Sequence, residues 1–102
     1  MARNFSSTGK LIVTTLELER PRIFNELQRS DRLGSVIYEA ERHFQERTTH
    51  FNNLYQEQYP RPEALGERLK YVADREAFVK DSVTREVENW VSNFTLKNRK
   101  LA

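Results

Sequence analysis

Residues 59–94 read YPRPEALGERLKYVADREAFVKDSVTREVENWVSNF, and the fold turns on them. After the corner Tyr59-Pro60-Arg61-Pro62, the positions Leu65, Leu69, Val72, Glu76, Val79, Val83, Val87, Trp90 and Phe94 alternate steps of three and four with few exceptions. That spacing is a heptad-like seam along one side of a helix. An unbroken helix over residues 62–97 would be about 54 Å long at about 1.5 Å per residue. Upstream, Leu33, Val36, Ile37, Ala40, Phe44, Phe51, Leu54 and Tyr55 gather within roughly a third of a helix circumference, which predicts a second helix over residues 33–58. Its length would be about 39 Å. A residue before proline avoids the helical region, so the prolines at 60 and 62 force a tight turn between the two rods. The expectation is an all-α, three- to four-helix bundle built on a long antiparallel helical hairpin, with valines and leucines zipped between the rods. The last turns of the longer rod would overhang. They must be covered by the first segment, covered by a partner chain, or removed by a break near Asp74.

Outward from the hairpin, the chain is punctuated by only three glycines and three prolines. Residues 1–9, with Ser6, Ser7, Thr8 and Gly9, show no period and read as a flexible N-terminal arm. Residues 10–102 then form a single helical domain. Residues 10–19 are ambiguous: Leu11, Ile12, Val13, Thr14 and Thr15 favour a strand, whereas the residues from Leu16 onward lean helical. Ile12, Val13 and Leu16 share a helical side with Ile23, Phe24 and Leu27, so one kinked helix over residues 10–29 is preferred to a strand over 11–18. Pro21 must kink that helix or begin another, because it lacks an amide hydrogen and its ring meets the carbonyl four residues back. Ser30, Asp31, Arg32 and Gly34 mark the next turn, with Ser30 or Asp31 placed to cap the helix that follows.

A chain of 102 residues has room for one domain. Apolar residues make up 37% and charged residues 31%, a balance that suits elongated helices better than a thick core. A net charge of +2 does not indicate a strong polyanion binder. Cysteine is absent, which excludes a disulfide framework, thiol catalysis and Cys-ligated metal. No long apolar run suggests a membrane span or a secretion leader, so a cytoplasmic address is expected. No phosphate-binding loop, dinucleotide fingerprint, nucleophile elbow or metal-binding histidine motif occurs. No cofactor, small-molecule substrate or catalytic residue is expected.

Four groups of residues remain as candidates. Glu39, His43, Glu46 and His50 lie on one helical flank and could hold a divalent metal. They read better as a solvated stripe of i, i+4 pairs, since no other helix offers matching ligands and none is assigned to metal. Glu76, polar within the seam, is a boundary residue or a register device. Tyr71 and Phe78, seven residues apart opposite the seam, need cover from the first helix or from another chain. Trp90 and Phe94 pose the same choice. These four aromatics are the expected partner-binding residues of a module that dimerises or docks on a protein. Arg20, Arg22, Arg29 and Arg32 form a weak basic cluster that would serve a nucleic-acid contact, as would Lys97, Arg99 and Lys100.

The segment Glu19-Arg20-Pro21-Arg22-Ile23-Phe24-Asn25-Glu26-Leu27, followed by Ser30, Arg32-Leu33 and Glu39-Ala40, resembles the early helical part of TnpV-type transposon-encoded proteins. Leu69, Val72, Val83, Arg85-Glu86-Val87 and Trp90 are similar to that family's closing helix. The resemblance covers residues 19 to 91. Asp31 departs from it by standing where the turn glycine is expected, and so do Lys70 to Asp74, which lack its tryptophan-valine and paired-asparagine segments. It implies a small bacterial protein with an accessory role on a mobile element, without established catalytic residues. The leading expectation is thus a non-catalytic protein–protein interaction module, and the alternative a nucleic-acid-associated accessory protein.

Overall fold

In a computed structural model, residues 5–95 are described. They form four helices and no strand: α1 (Ser7–Glu19), α2 (Pro21–Arg29), α3 (Leu33–Gln58) and α4 (Leu65–Asn93). The all-α expectation holds.

The first helix begins inside the stretch expected to be a loose arm. Ser6 is extended and its hydroxyl accepts from the Gly9 amide at 3.2 Å, capping the first turn. The Ser6 amide donates to the Glu41 carboxylate on α3 at 2.9 Å, and the Ser6 hydroxyl donates to the same oxygen. The cap is therefore tied to the helix beside it. Residues 1–4 of the expected arm lie outside the described residues. The β-branched run at 11–15 is helical, because Ile12 and Leu16 are completely buried and burial outweighs local preference. Thr15 satisfies its hydroxyl within the helix by donating to the Leu11 carbonyl at 2.7 Å. Pro21 takes the first position of a new helix. Residues 10–29 are thus two helices meeting at Arg20 rather than one kinked helix.

Asp31 ends α2 with φ of 62°, the left-handed region that favours glycine. The Arg32 amide donates to the Leu27 carbonyl at 2.8 Å and the Asp31 amide to the Gln28 carbonyl at 3.2 Å. Together these bonds form a Schellman closure that satisfies two terminal carbonyls. The third helix has the bounds expected from its stripe. The fourth is shorter than residues 62–97, starting after Ala64 and ending before the extended Phe94. It runs without a break at Asp74. Lys97, Arg99 and Lys100 lie outside the described residues.

Side-chain pairs give the directions of packing. Tyr55 meets Tyr71, Phe51 meets Phe78, Arg47 meets Glu86 and Phe44 meets Trp90, so α3 and α4 run in opposite directions. The start of α1 shares a cavity wall with Thr48, Asn52, Val79 and Val83, and at its end Arg20 reaches Val91 and Ser92. That helix therefore runs alongside α4 in the same direction. α2 folds back against α1 and α3. Ile12, Leu16, Leu27, Ile37, Val87 and Val91 are fully buried, and with Phe24, Phe44, Val79, Val83 and Phe94 they make one core, which we call the body.

Beyond the start of α1 the two long helices continue as a narrower tip. Here Phe51, Tyr55, Tyr59, Tyr71 and Phe78 pack ring against ring at 4.8 to 6.1 Å. The Tyr71 hydroxyl donates to the Tyr59 carbonyl at 2.7 Å and closes the corner. The molecule measures 53 × 26 × 21 Å. Overhang thus occurs at the first turns of α4, opposite to the expectation. The anticipated seam also splits: Val79, Val83 and Val87 are buried, while Leu65 and Leu69 are 68% and 66% exposed and Val72 is 39% exposed.

Candidate partner-binding surface

Length explains the split seam. With 13 residues α1 spans about 20 Å, against about 43 Å for the 29 residues of α4 at about 1.5 Å per residue. One apolar line, Leu65-Leu69-Val72-Glu76-Val79-Val83, passes from solvent into the core where α1 begins. Beside its open half lie Gly66, Ala73 and Ala77, all exposed. A methyl group added at Gly66 would meet nothing within 4 Å, so this side of the helix is open. The result is a ridge of branched side chains next to a trough of small ones. Where the line dips under α1 there is a cavity of about 500 Å³, walled by Leu11, Val79 and Val83 and rimmed by Glu76 and Lys80. Glu76 is exposed and makes no ion pair among the described residues, so it is a boundary residue at the end of the open face.

The four expected contact residues lie elsewhere. Tyr71 and Phe94 are 8% and 5% exposed, packed inside the chain. Phe78 and Trp90 are half-buried, against Phe51 and Tyr55 in the first case and Phe44 and Phe94 in the second. Tyr71 and Phe78 are covered by Phe51 and Tyr55 of α3. Leu65, Leu69 and Val72 were read as core from their spacing. Their exposure follows from comparing the short first helix with the long fourth, a comparison that the sequence contains.

The basic cluster is dispersed. Arg20 donates from one guanidinium nitrogen to the Val91 and Ser92 carbonyls, both at 2.9 Å. Arg29 pairs with Glu26 one turn away, and Arg32 donates to the Ser30 hydroxyl at 3.1 Å. Arg22 is exposed. Glu39, His43, Glu46 and His50 are all exposed on α3. No three histidine or acidic side chains among the described residues converge on a common point that could hold a metal.

Electrostatic perturbation is concentrated on pairs that join or brace the long helices. Arg47 grips Glu86 with two bonds of 2.8 and 2.9 Å. The hydrogen bonds from Arg47 hold the Glu86 carboxyl below its ordinary value, and the charges of Arg47, His43 and His50 add to the effect. The guanidinium of Arg47 lies 5.1 Å from the centre of the Phe51 ring. At the tip, Lys70 pairs with Asp74 at 3.0 Å and its pKa is raised by that bond. Desolvation among the tyrosines, and then the negative charge of Asp74, push the Tyr55 phenol up.

No family model, curated protein or solved structure matches the chain. No helix among the described residues is long and apolar enough to cross a membrane.

Proposed function

We propose that this chain is a non-catalytic helical interaction module that pairs with a second copy of itself through the open face at the start of α4. In this reading α3 and α4 form an antiparallel hairpin scaffold, α1 and α2 complete a bundle over one half, and the other half is the docking element. The single observation that carries it is the exposure of Leu65, Leu69 and Val72 in line with buried valines. A contiguous apolar face of this kind commonly marks an interaction site. A second copy is the occupant favoured by shape, because the ridge of Leu65, Leu69 and Val72 and the trough of Gly66, Ala73 and Ala77 lie on the same face. Laid antiparallel across a two-fold axis near Leu69, each ridge enters the trough of the other copy. The net charge of +2 opposes such pairing only weakly. Taken with the TnpV-type resemblance, the module would serve as an accessory protein of a mobile element.

Sedimentation equilibrium from micromolar to millimolar chain tests the pairing. The expected result is a rise from 12.2 kDa toward twice that mass, with Leu69→Glu remaining a monomer of unchanged helicity. A single 12.2 kDa species throughout the range, or association that survives Leu69→Glu, overturns the reading.

A further inference from the structure

Arg68, Tyr71, Arg75 and Phe78 follow one another at steps of three, four and three and so share a stripe of α4. Tyr71 and Phe78 pack on α3, and Arg75 shares a concavity wall with Tyr71. The Nε of Arg68 and the Nε of Arg75 are both shielded from solvent, and neither meets an acceptor among the described residues. A shielded donor without a partner is costly, and the guanidinium group is the side chain best shaped to direct paired donors at an oxyanion. Next to Arg75 is a concavity of about 290 Å³ lined by Gln56, Arg61, Tyr71 and Arg75. The Tyr71 hydroxyl is engaged with the Tyr59 carbonyl, so the tyrosine offers its ring as a wall. Gln56, Arg61 and Arg75 offer the donors.

The acids of the tip do not neutralise these arginines. Glu57, Glu63 and Glu67 are exposed and make no ion pair among the described residues, and Asp74 is held by Lys70. Elsewhere in the molecule Arg20, Arg29 and Arg47 all have acceptors. We infer that the concavity between Arg61 and Arg75 at the hairpin tip is a binding site for a phosphate-type dianion. Two guanidinium groups match the charge of a phosphate dianion better than that of a single carboxylate, and the Gln56 amide adds donors that can reach a third oxygen. The site is independent of self-pairing, since neither Arg61 nor Arg75 belongs to the ridge or the trough.

The test is an NMR titration of the nitrogen-15-labelled chain with inorganic phosphate at about pH 8, where phosphate is mainly a dianion. Sodium acetate at matched ionic strength serves as the monoanionic carboxylate probe. Saturable shifts of the Arg61 and Arg75 Nε–Hε signals with phosphate are expected, at an affinity about tenfold or more above that for acetate. Arg75→Gln and Arg61→Gln should each weaken phosphate binding about tenfold, the loss of one charge-assisted contact. Arg22→Gln should bind as the parent does. Arg61 stands outside every helix, so its variant keeps the test valid even if Arg75→Gln perturbs folding. Equal shifts with acetate, shifts spread evenly over all arginines, or unchanged affinity in Arg61→Gln would each overturn the assignment.

Discussion

The Arg47–Glu86 pair is where a single side chain has the clearest measurable consequence. It joins α3 to α4 near the level at which α1 begins, with both groups about two-thirds covered. The pairing keeps the Glu86 carboxyl below its ordinary value of 4.5 in the folded chain. The folded state therefore binds fewer protons at this position than the unfolded state. The stabilisation is fully present above about pH 4.5 and is lost as pH falls through the folded value. In Glu86→Gln this contribution is missing at every pH. Thermal melting followed by circular dichroism from neutral to acidic pH should show the parent losing more melting temperature than the variant below about pH 4.5. Parallel curves would show that the pair contributes nothing to acid sensitivity.

Among the helices, the contact between α1 and the end of α4 shows most clearly what pattern reading misses. The last turn of α4 contains no basic residue of its own. Arg20, at the junction of α1 and α2, supplies the cation by donating to the Val91 and Ser92 carbonyls. This satisfies the Ser92 carbonyl, gives the Val91 carbonyl a second donor beside the Phe94 amide, and complements the negative end of the helix dipole. Arg20→Ala should cost roughly 1–2 kcal/mol, within the range for hydrogen bonds to charged groups after allowance for partial exposure. The melting temperature should then fall by about 4–8 °C per kcal/mol, and thermal unfolding of Arg20→Ala beside the parent checks it. In the sequence Arg20 looked like one of four surface arginines, because nothing local shows that residues 91 and 92 come within reach. By contrast, the bounds of α3 were fully legible, since its apolar stripe and the two prolines after it are local signals. The division at Pro21 was half legible: proline required a disruption, but only the packing of Phe24 and Leu27 shows that a separate helix follows.

The whole molecule divides into a body, where α1 and α2 close over the long helices, and a tip held by aromatic rings. Periodicity found the apolar line of α4 from Leu65 to Val83, and Val79 and Val83 at its far end are in the core. It could not show that cover ends near Glu76, because a stripe specifies which side of a helix is apolar and not how far its neighbour extends. For the same reason the expected contact residues Tyr71 and Phe94 turned out to be interior, and the exposed leucines had been read as core. The division also sorts the chromophores. The one tryptophan, Trp90, lies in the body between Phe44 and Phe94, whereas three of the four tyrosines, Tyr55, Tyr59 and Tyr71, pack together at the tip in tilted and edge-on pairs. Indole emission thus reports on one half of the molecule and phenol absorbance mainly on the other. With fewer buried apolar neighbours, the tip should open at lower temperature, so a heating run should show the tyrosine signal moving before the tryptophan band shifts to the red. Coincident transitions would mean that the ring ladder fastens the two halves into a single melting unit.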